Sequence, residues 1–161
     1  MRLLRLAKLE IGDKAPDFTL PSSTGENISL SQFFGKKQVV IFFYPMDESP
    51  VCSREAEAFK NKYETFKELG AEVLGISPQS VESHMSFSKH HNLPYFLLSD
   101  SDNGVRRLYG VSPTLGIVPK RVTFVIDKEG IIKHIFSFQF QPAKHAEQAL
   151  LALRNTDTSE K

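Results

Sequence analysis

The sequence of 161 residues contains one cysteine, Cys52, and no tryptophan. A single cysteine excludes an intramolecular disulfide, a Cys-x-x-Cys exchange motif and a cysteine-based zinc site. A single cysteine is consistent with a reducing compartment. We therefore expect a cytoplasmic location, or an organelle lumen if the chain is a processed form.

The chain also lacks a charge excess and long apolar runs. Its 20 basic and 19 acidic residues give a formal net charge of +1, which argues against nucleic acid as a partner. No run reaches the roughly 18 apolar residues of a membrane span. Residues 1–10 alternate charge with leucine and lack the apolar region of a secretory signal. They are predicted to form an N-terminal extension, as a short amphipathic helix or strand.

The remaining pattern predicts one domain over residues 11–154, followed by a polar, flexible tail over 155–161. Strand and helix patterns alternate, and a hairpin around residues 127–130 and a final helix follow, which indicates an α/β fold. The predicted strands are 18–20, 28–30, 38–44, 72–76, 95–98, 121–126 and 131–137. The predicted helices are 50–69, 81–91, 103–109 and 142–154.

Cys52 is predicted to lie in the first turn of a helix that follows a buried strand. Ser49 is a suitable N-cap, because its hydroxyl can accept a hydrogen bond from an N–H group two or three residues later. Pro50 falls at the first helical position, where its missing N–H costs nothing. The free N–H groups and the positive end of the helix dipole favour a thiolate there.

The same helix carries an apolar stripe that includes Cys52, so its thiol is predicted to point into the protein. A cysteine in such a stripe is often an inert buried thiol, and position alone does not separate that case from a nucleophile. The stripe consists of Cys52, Ala56, Phe59, Tyr63, Phe66 and Leu69. The charged residues predicted mostly on the other faces are Arg54, Glu55, Glu57, Lys60, Lys62, Glu64 and Lys67.

Three segments resemble one family. Residues 45–52, Pro-Met-Asp-Glu-Ser-Pro-Val-Cys, resemble the signature Pro-x-x-x-Ser/Thr-x-x-Cys of peroxiredoxins. The preceding Phe-Phe-Tyr at 42–44 is similar to the Q-type branch, also called bacterioferritin comigratory protein-like. Residues 12–20 and 121–130 resemble the N-terminal stretch and the arginine-bearing strand of that family. The resemblance covers residues 11–153.

This resemblance implies a thioredoxin-like fold, with a central mixed sheet flanked by helices and N-terminal additions. It implies that Cys52 is the peroxidatic nucleophile, that Ser49 hydrogen-bonds the thiolate and the peroxide, and that Pro45 shields the pocket. Arg121 would place a positive charge beside the sulfur. The reaction would need no metal and no organic cofactor.

The sequence departs from the family pattern at Glu57, where many Q-type members carry a resolving cysteine. The resemblance therefore implies a one-cysteine peroxidase that reduces hydrogen peroxide and organic hydroperoxides. Its sulfenic acid would be reduced by an external thiol from thioredoxin, glutaredoxin or a small molecule. The alternative is a peroxide sensor or redox-regulated binding protein without efficient turnover. A monomer and a homodimer both remain open.

The other polar groups suggest no second site. His84, His90 and His91 lack the i,i+4 spacing of helical metal ligands, so no metal is expected. Residues 100–104 look like half of a calcium loop, but Val111 stands where the last carboxylate ligand would be. A polar turn that caps the next helix is the better interpretation. Residues 112–119 are predicted to form a loop beside the active site.

Overall fold

The structure, a computed structural model, describes residues 9–111, 121–138 and 141–159. Most of the predicted N-terminal extension (residues 1–8) and the predicted loop 112–119 lie outside the described residues. No helix among the described residues is long and apolar enough to cross a membrane.

Seven strands and five α-helices follow one another in the described chain, with a short 3-10 helix at Leu30–Phe33. The strands are β1 (Thr19–Pro21), β2 (Asn27–Ser29), β3 (Gln38–Phe43), β4 (Ala71–Ser77), β5 (Phe96–Ser99), β6 (Val122–Ile126) and β7 (Ile132–Phe136). The helices are α1 (Pro50–Asn61), α2 (Tyr63–Glu68), α3 (Val81–His91), α4 (Gly104–Leu108) and α5 (Pro142–Ser159).

Five of the strands form one mixed sheet in the order β5-β4-β3-β6-β7. β3, β4 and β5 are parallel, whereas β6 runs antiparallel to β3 and β7 runs antiparallel to β6. β1 and β2 form a separate antiparallel pair near the N-terminus. The predicted thioredoxin-like fold, with a mixed central sheet and N-terminal additions, is confirmed.

The central strand β3 is buried on both faces, as its run of Val, Ile and Phe predicts. Val40 and Phe42 enter the cluster that also holds Cys52 and residues of α1, α3 and α5. Val39 and Ile41, on the other face, pack with residues of the N-terminal segment and of α4. Successive side chains of a strand point to opposite faces, so one strand supports both cores.

Two predicted helix boundaries are corrected. The predicted helix 50–69 is two helices, because Lys62 leaves helical geometry at φ −107° and ψ 3°. The break accompanies a hydrogen bond from the Tyr63 hydroxyl to Glu72 Oε1 at 2.8 Å on β4. The last helix, predicted to end at Arg154, continues to Ser159. The predicted hairpin turn at 127–130 is present between β6 and β7.

The sheet brings three chain segments together at the carboxyl ends of its parallel strands. β3 ends at Phe43, which pairs with Val122 at the start of β6, so Arg121 lies beside the loop that leads to Cys52. β5 is parallel to β4, so it ends on the same side of the sheet as β3. The carboxyl ends of parallel strands form the usual ligand crevice of open α/β sheets.

Candidate active site

Cys52 lies in the first turn of α1, as predicted. Ser49 is the N-cap, and its Oγ accepts a hydrogen bond from the Cys52 backbone N–H at 3.2 Å. Pro50 is the first helical residue. The Cys52 side chain is part of the hydrophobic core and the residue is 1% exposed. The thiol therefore points into the protein, which confirms the predicted orientation.

Asp47 anchors the loop between β3 and α1. It is buried, and its carboxylate accepts hydrogen bonds from the Tyr44 hydroxyl at 2.6 Å and the Ser83 hydroxyl at 2.8 Å. Its Oδ2 also lies 2.7 Å from His84 Nδ1. Three contacts, one from the residue that follows β3 and two from α3, therefore hold the loop that carries Ser49.

His84 is fully buried beneath this loop. Its Nε2 lies 3.1 Å from the Leu98 carbonyl oxygen, and its Nδ1 faces the Asp47 carboxylate. Both ring nitrogens therefore face hydrogen-bond acceptors, and His84 links the loop to β5. Loss of one partner from such a buried polar cluster leaves a group unsatisfied, which costs about 1–3 kcal/mol.

Pro45 lies at the start of the loop and is half-buried. Its carbonyl oxygen accepts a hydrogen bond from Gln79 Nε2 at 3.2 Å. Gln79 Oε1 in turn accepts the Asp47 backbone N–H at 3.0 Å. One side-chain amide thus fixes the loop backbone at two points.

Arg121 is buried and faces Glu55, one helical turn after Cys52. Its Nη1 donates to Glu55 Oε1 at 3.2 Å, and the two side chains are 7% and 0% exposed. Glu55 was expected on an outward face of the helix, and this prediction is wrong. A residue three positions after Cys52 shares its helix face, so Glu55 follows the thiol into the core.

Burial raises the pKa of Glu55 from its usual 4.5 to about 8, although the neighbouring Arg121 charge opposes the rise. Glu55 Oε2 has no hydrogen-bond partner among the described residues. His145 Nε2 lies 3.6 Å from this oxygen. We therefore assign Glu55 a bound proton at neutral pH.

His145 closes this cluster from α5. Its Nε2 donates to the Phe138 carbonyl oxygen at 2.8 Å, and its Nδ1 lies 2.7 Å from the Thr123 hydroxyl. Burial and the charge of Arg121 both lower the pKa of His145, and the Phe138 contact opposes them. Since Nε2 carries the proton, Thr123 donates to Nδ1 and the ring is neutral.

The model of the AhpC/TSA family matches residues 11–135. The chain belongs to the AhpC/TSA family.

Curated relatives place the chain in the Q-type branch. It is 46% identical over 155 residues to chloroplastic peroxiredoxin Q of Gentiana triflora, covering 96% of this chain and 71% of the relative. It is 47% identical over 150 residues to chloroplastic peroxiredoxin Q of Sedum lineare, covering 92% and 80%.

Solved structures agree with the family assignment. Peroxidoxin BcpB of Mycobacterium tuberculosis superposes with a TM-score of 0.84 at 37% identity, covering 91% of this chain and 97% of that one. A mutant of PrxQ from Xylella fastidiosa gives a TM-score of 0.84 at 30% identity, covering 92% and 98%. The chain is a Q-type peroxiredoxin with one cysteine, and peroxiredoxins are thiol-dependent peroxidases.

A second buried arginine, Arg106, was missed by sequence reasoning. It lies on α4, which begins at the carboxyl end of β5. Burial lowers the pKa of Arg106, and the negative charges of Asp100 and of Cys52 as thiolate oppose that shift. Arg106 is therefore a second buried arginine, on the helix that follows the carboxyl end of β5.

Asp100 holds this part of the site in place. Its carboxylate accepts the backbone N–H groups of Val105 at 3.0 Å and Arg106 at 2.8 Å. The polar turn predicted over residues 100–104 therefore caps the following helix. The apolar spacing of Val105 and Tyr109 predicts that short helix, but it gave no sign that Arg106 faces inward.

Proposed function

We propose that this peroxiredoxin reduces hydrogen peroxide and organic hydroperoxides through Cys52 alone, and that an external thiol completes the cycle. The observation that carries the proposal is the position of the only cysteine of the chain. It lies buried at the start of a capped helix, where free N–H groups and the helix dipole favour negative charge.

In the first half-reaction, the Cys52 thiolate attacks the terminal oxygen of ROOH. A sulfur–oxygen bond forms and the oxygen–oxygen bond breaks, so sulfur is oxidised to the sulfenic acid and the peroxide is reduced. The leaving RO⁻ takes a proton and departs as an alcohol, or as water when R is hydrogen. Donors and positive charges aimed at the developing oxyanion lower this barrier.

The other residues around Cys52 have the following roles in the proposal. Arg121 stabilises the developing negative charge, and Glu55 orients its guanidinium. Pro45 covers the pocket from the loop side. Ser49 supplies a hydroxyl to the peroxide, for which its O–H must rotate from the Met46 carbonyl oxygen, 3.4 Å away. Arg106 adds a second positive charge.

In the second half-reaction, an external thiolate attacks the Cys52 sulfenic acid and releases water. A second thiol reduces this mixed disulfide and restores Cys52. Glu57, five residues after Cys52, offers no sulfur, so both thiols come from outside the chain. The attacking thiol must contact the sulfur of Cys52, a residue that is 1% exposed, so the first turn of α1 has to open.

The proposed catalytic domain is residues 11–154, between the extension and the tail. Thioredoxin, glutaredoxin and a small thiol are the proposed classes of reductant. A reducing cytoplasm or organelle lumen supplies them. The chloroplastic names of relatives such as that of Sedum lineare support the organelle.

The test is single-turnover oxidation of the reduced protein with stoichiometric hydrogen peroxide, followed by intact mass measurement with a sulfenic-acid trap. We expect rapid gain of one oxygen at Cys52, and none in Cys52→Ser. Addition of each reductant should then restore the thiol and sustain peroxide consumption. Fast oxidation without turnover by any of the three would instead support the sensor function. Oxidation no faster than that of free cysteine would refute both.

A further inference from the structure

Four polar side chains meet on the surface where α1, α3 and the signature loop come together. Glu48 belongs to the loop, Glu57 to α1, and His90 and His91 to the end of α3. The ligand atoms of Glu48, His90 and His91 all lie within 4.8 Å of one another. No other such group of three was found among the described side chains.

The hydrogen bonds of His91 leave one ring nitrogen without a partner. Glu57 Oε1 lies 3.0 Å from His91 Nδ1, and a carboxylate only accepts, so Nδ1 carries the proton. In the neutral ring, Nε2 is then a bare lone pair. This atom is buried and has no hydrogen-bond partner, and the nearest carboxylate oxygen, Glu48 Oε1, is 3.9 Å away.

Two acceptors that face each other at this distance are complementary to a cation between them. Transition-metal ions bind histidine nitrogen and carboxylate oxygen at about 2.0–2.2 Å. Two such bonds together are close to the 3.9 Å that separates His91 Nε2 from Glu48 Oε1, so an ion between these atoms can bind both. A histidine that donates its other N–H to a carboxylate is also the usual supporting arrangement of a metal ligand.

His90 supplies the third ligand. Its Nδ1 lies 2.9 Å and 3.0 Å from the two carboxylate oxygens of Glu48. Without metal, Nδ1–H donates to this carboxylate, and a metal ion would replace that proton. Two imidazoles and one carboxylate suit zinc and its neighbours in the first transition row better than magnesium or calcium.

We propose that Glu48, His90 and His91 form a binding site for a divalent transition-metal ion, with Glu57 orienting His91. No sequence pattern indicated this site. The two histidines are adjacent and lack the i,i+4 spacing of helical ligands, and Glu48 lies 42 residues before His90. The metal would join the signature loop to α3 immediately before the Ser49 cap. Metal binding should therefore stabilise the fold.

The test is calorimetric titration of Zn²⁺ into the full chain, freed of metal and kept reduced in a non-chelating buffer. The Cys52→Ser variant is titrated in parallel, because it removes the thiolate as a competing ligand. We expect one ion per chain in both proteins and a melting temperature that rises with Zn²⁺ concentration. Mg²⁺ at the same concentration should give neither signal.

His90→Asn and His91→Asn should each weaken Zn²⁺ binding at least 100-fold, and Glu57→Gln should weaken it about 10- to 100-fold. The matched control is His134→Asn, on β7. It should bind Zn²⁺ as the parent does. The melting temperatures of all variants without metal provide the folding check. Binding that survives both α3 substitutions, or that disappears in Cys52→Ser, would overturn the proposal.

Discussion

Replacing Glu55 by Gln tests the protonation state of the buried carboxyl that faces Arg121 behind the thiol. The side chain is fully buried, and burial raises the pKa of its carboxyl from 4.5 to about 8. Between pH 4.5 and about pH 8, the Glu55 carboxyl has lost its proton in the unfolded chain and retains it in the folded chain. Folding therefore binds a proton in this interval, and the contribution of Glu55 to stability is full below pH 4.5 and falls as pH rises through 8.

The magnitude follows from the size of the shift. One pKa unit corresponds to about 1.4 kcal/mol, so a rise from 4.5 to about 8 lowers the free energy of unfolding by about 5 kcal/mol across the interval. Glu55→Gln keeps the shape of the protonated acid but cannot ionise. At pH 5 it should cost about 1 kcal/mol, as for one altered hydrogen bond. At pH 8 it should be the more stable protein.

The assay is urea unfolding of wild-type protein and of Glu55→Gln at several pH values between 5 and 9. The difference in free energy of unfolding should change sign within this range. The matched control is Glu64→Gln, at a side chain that is 82% exposed on α2, and it should track wild type at every pH. If Glu55 is ionised throughout, Glu55→Gln instead leaves Arg121 as an unpaired buried charge. The loss would then be about 3–5 kcal/mol at every pH, which would refute the reasoning.

Three further substitutions test the site. Cys52→Ser should abolish peroxide consumption in a peroxide-loss assay while the circular dichroism spectrum stays that of wild type, so residual turnover would exclude the mechanism. Arg121→Ala should slow single-turnover oxidation of Cys52 by about 100- to 1000-fold, as for loss of one oxyanion donor, and an unchanged rate would place Arg121 outside the reaction. Ser49→Ala should lower the free energy of unfolding by about 1 kcal/mol through loss of the N-cap. A urea midpoint equal to that of wild type would contradict the capping role.

Local signals predicted the start of α1 well. The cap at Ser49, the proline at the first helical position and the inward direction of Cys52 are all set by residues within one turn of each other. Such signals are readable because the backbone groups at a helix start have few possible partners. The predicted span of α3 is confirmed as well, and the structure shows that Ser80 caps its start and that Asn92 ends it in left-handed geometry.

The partners of the buried charges could not be predicted in the same way. Glu55 meets Arg121 from 66 positions away, and Asp47 meets His84 from 37 positions away. Charged residues on a helix usually face water, so residue type alone did not distinguish Glu55 from Glu57. Only its spacing of three from Cys52 could have indicated burial. Arg106 likewise depends on where β5 ends in the sheet.

In the mechanism proposed here, the burial of Cys52 has opposite consequences for the two half-reactions. A peroxide is small and can reach a buried thiolate, near which positive groups act strongly because little water screens them. A reductant thiol carried on a protein cannot enter that pocket. The element that must yield is the first turn of α1, which a single side-chain cap at Ser49 holds at about 1 kcal/mol. The loop before it, by contrast, is held through Asp47, whose carboxylate accepts hydrogen bonds from the Tyr44 and Ser83 hydroxyls. We therefore expect opening to begin at the helix and not at the loop, and it has to withdraw the Cys52 side chain from its place in the core.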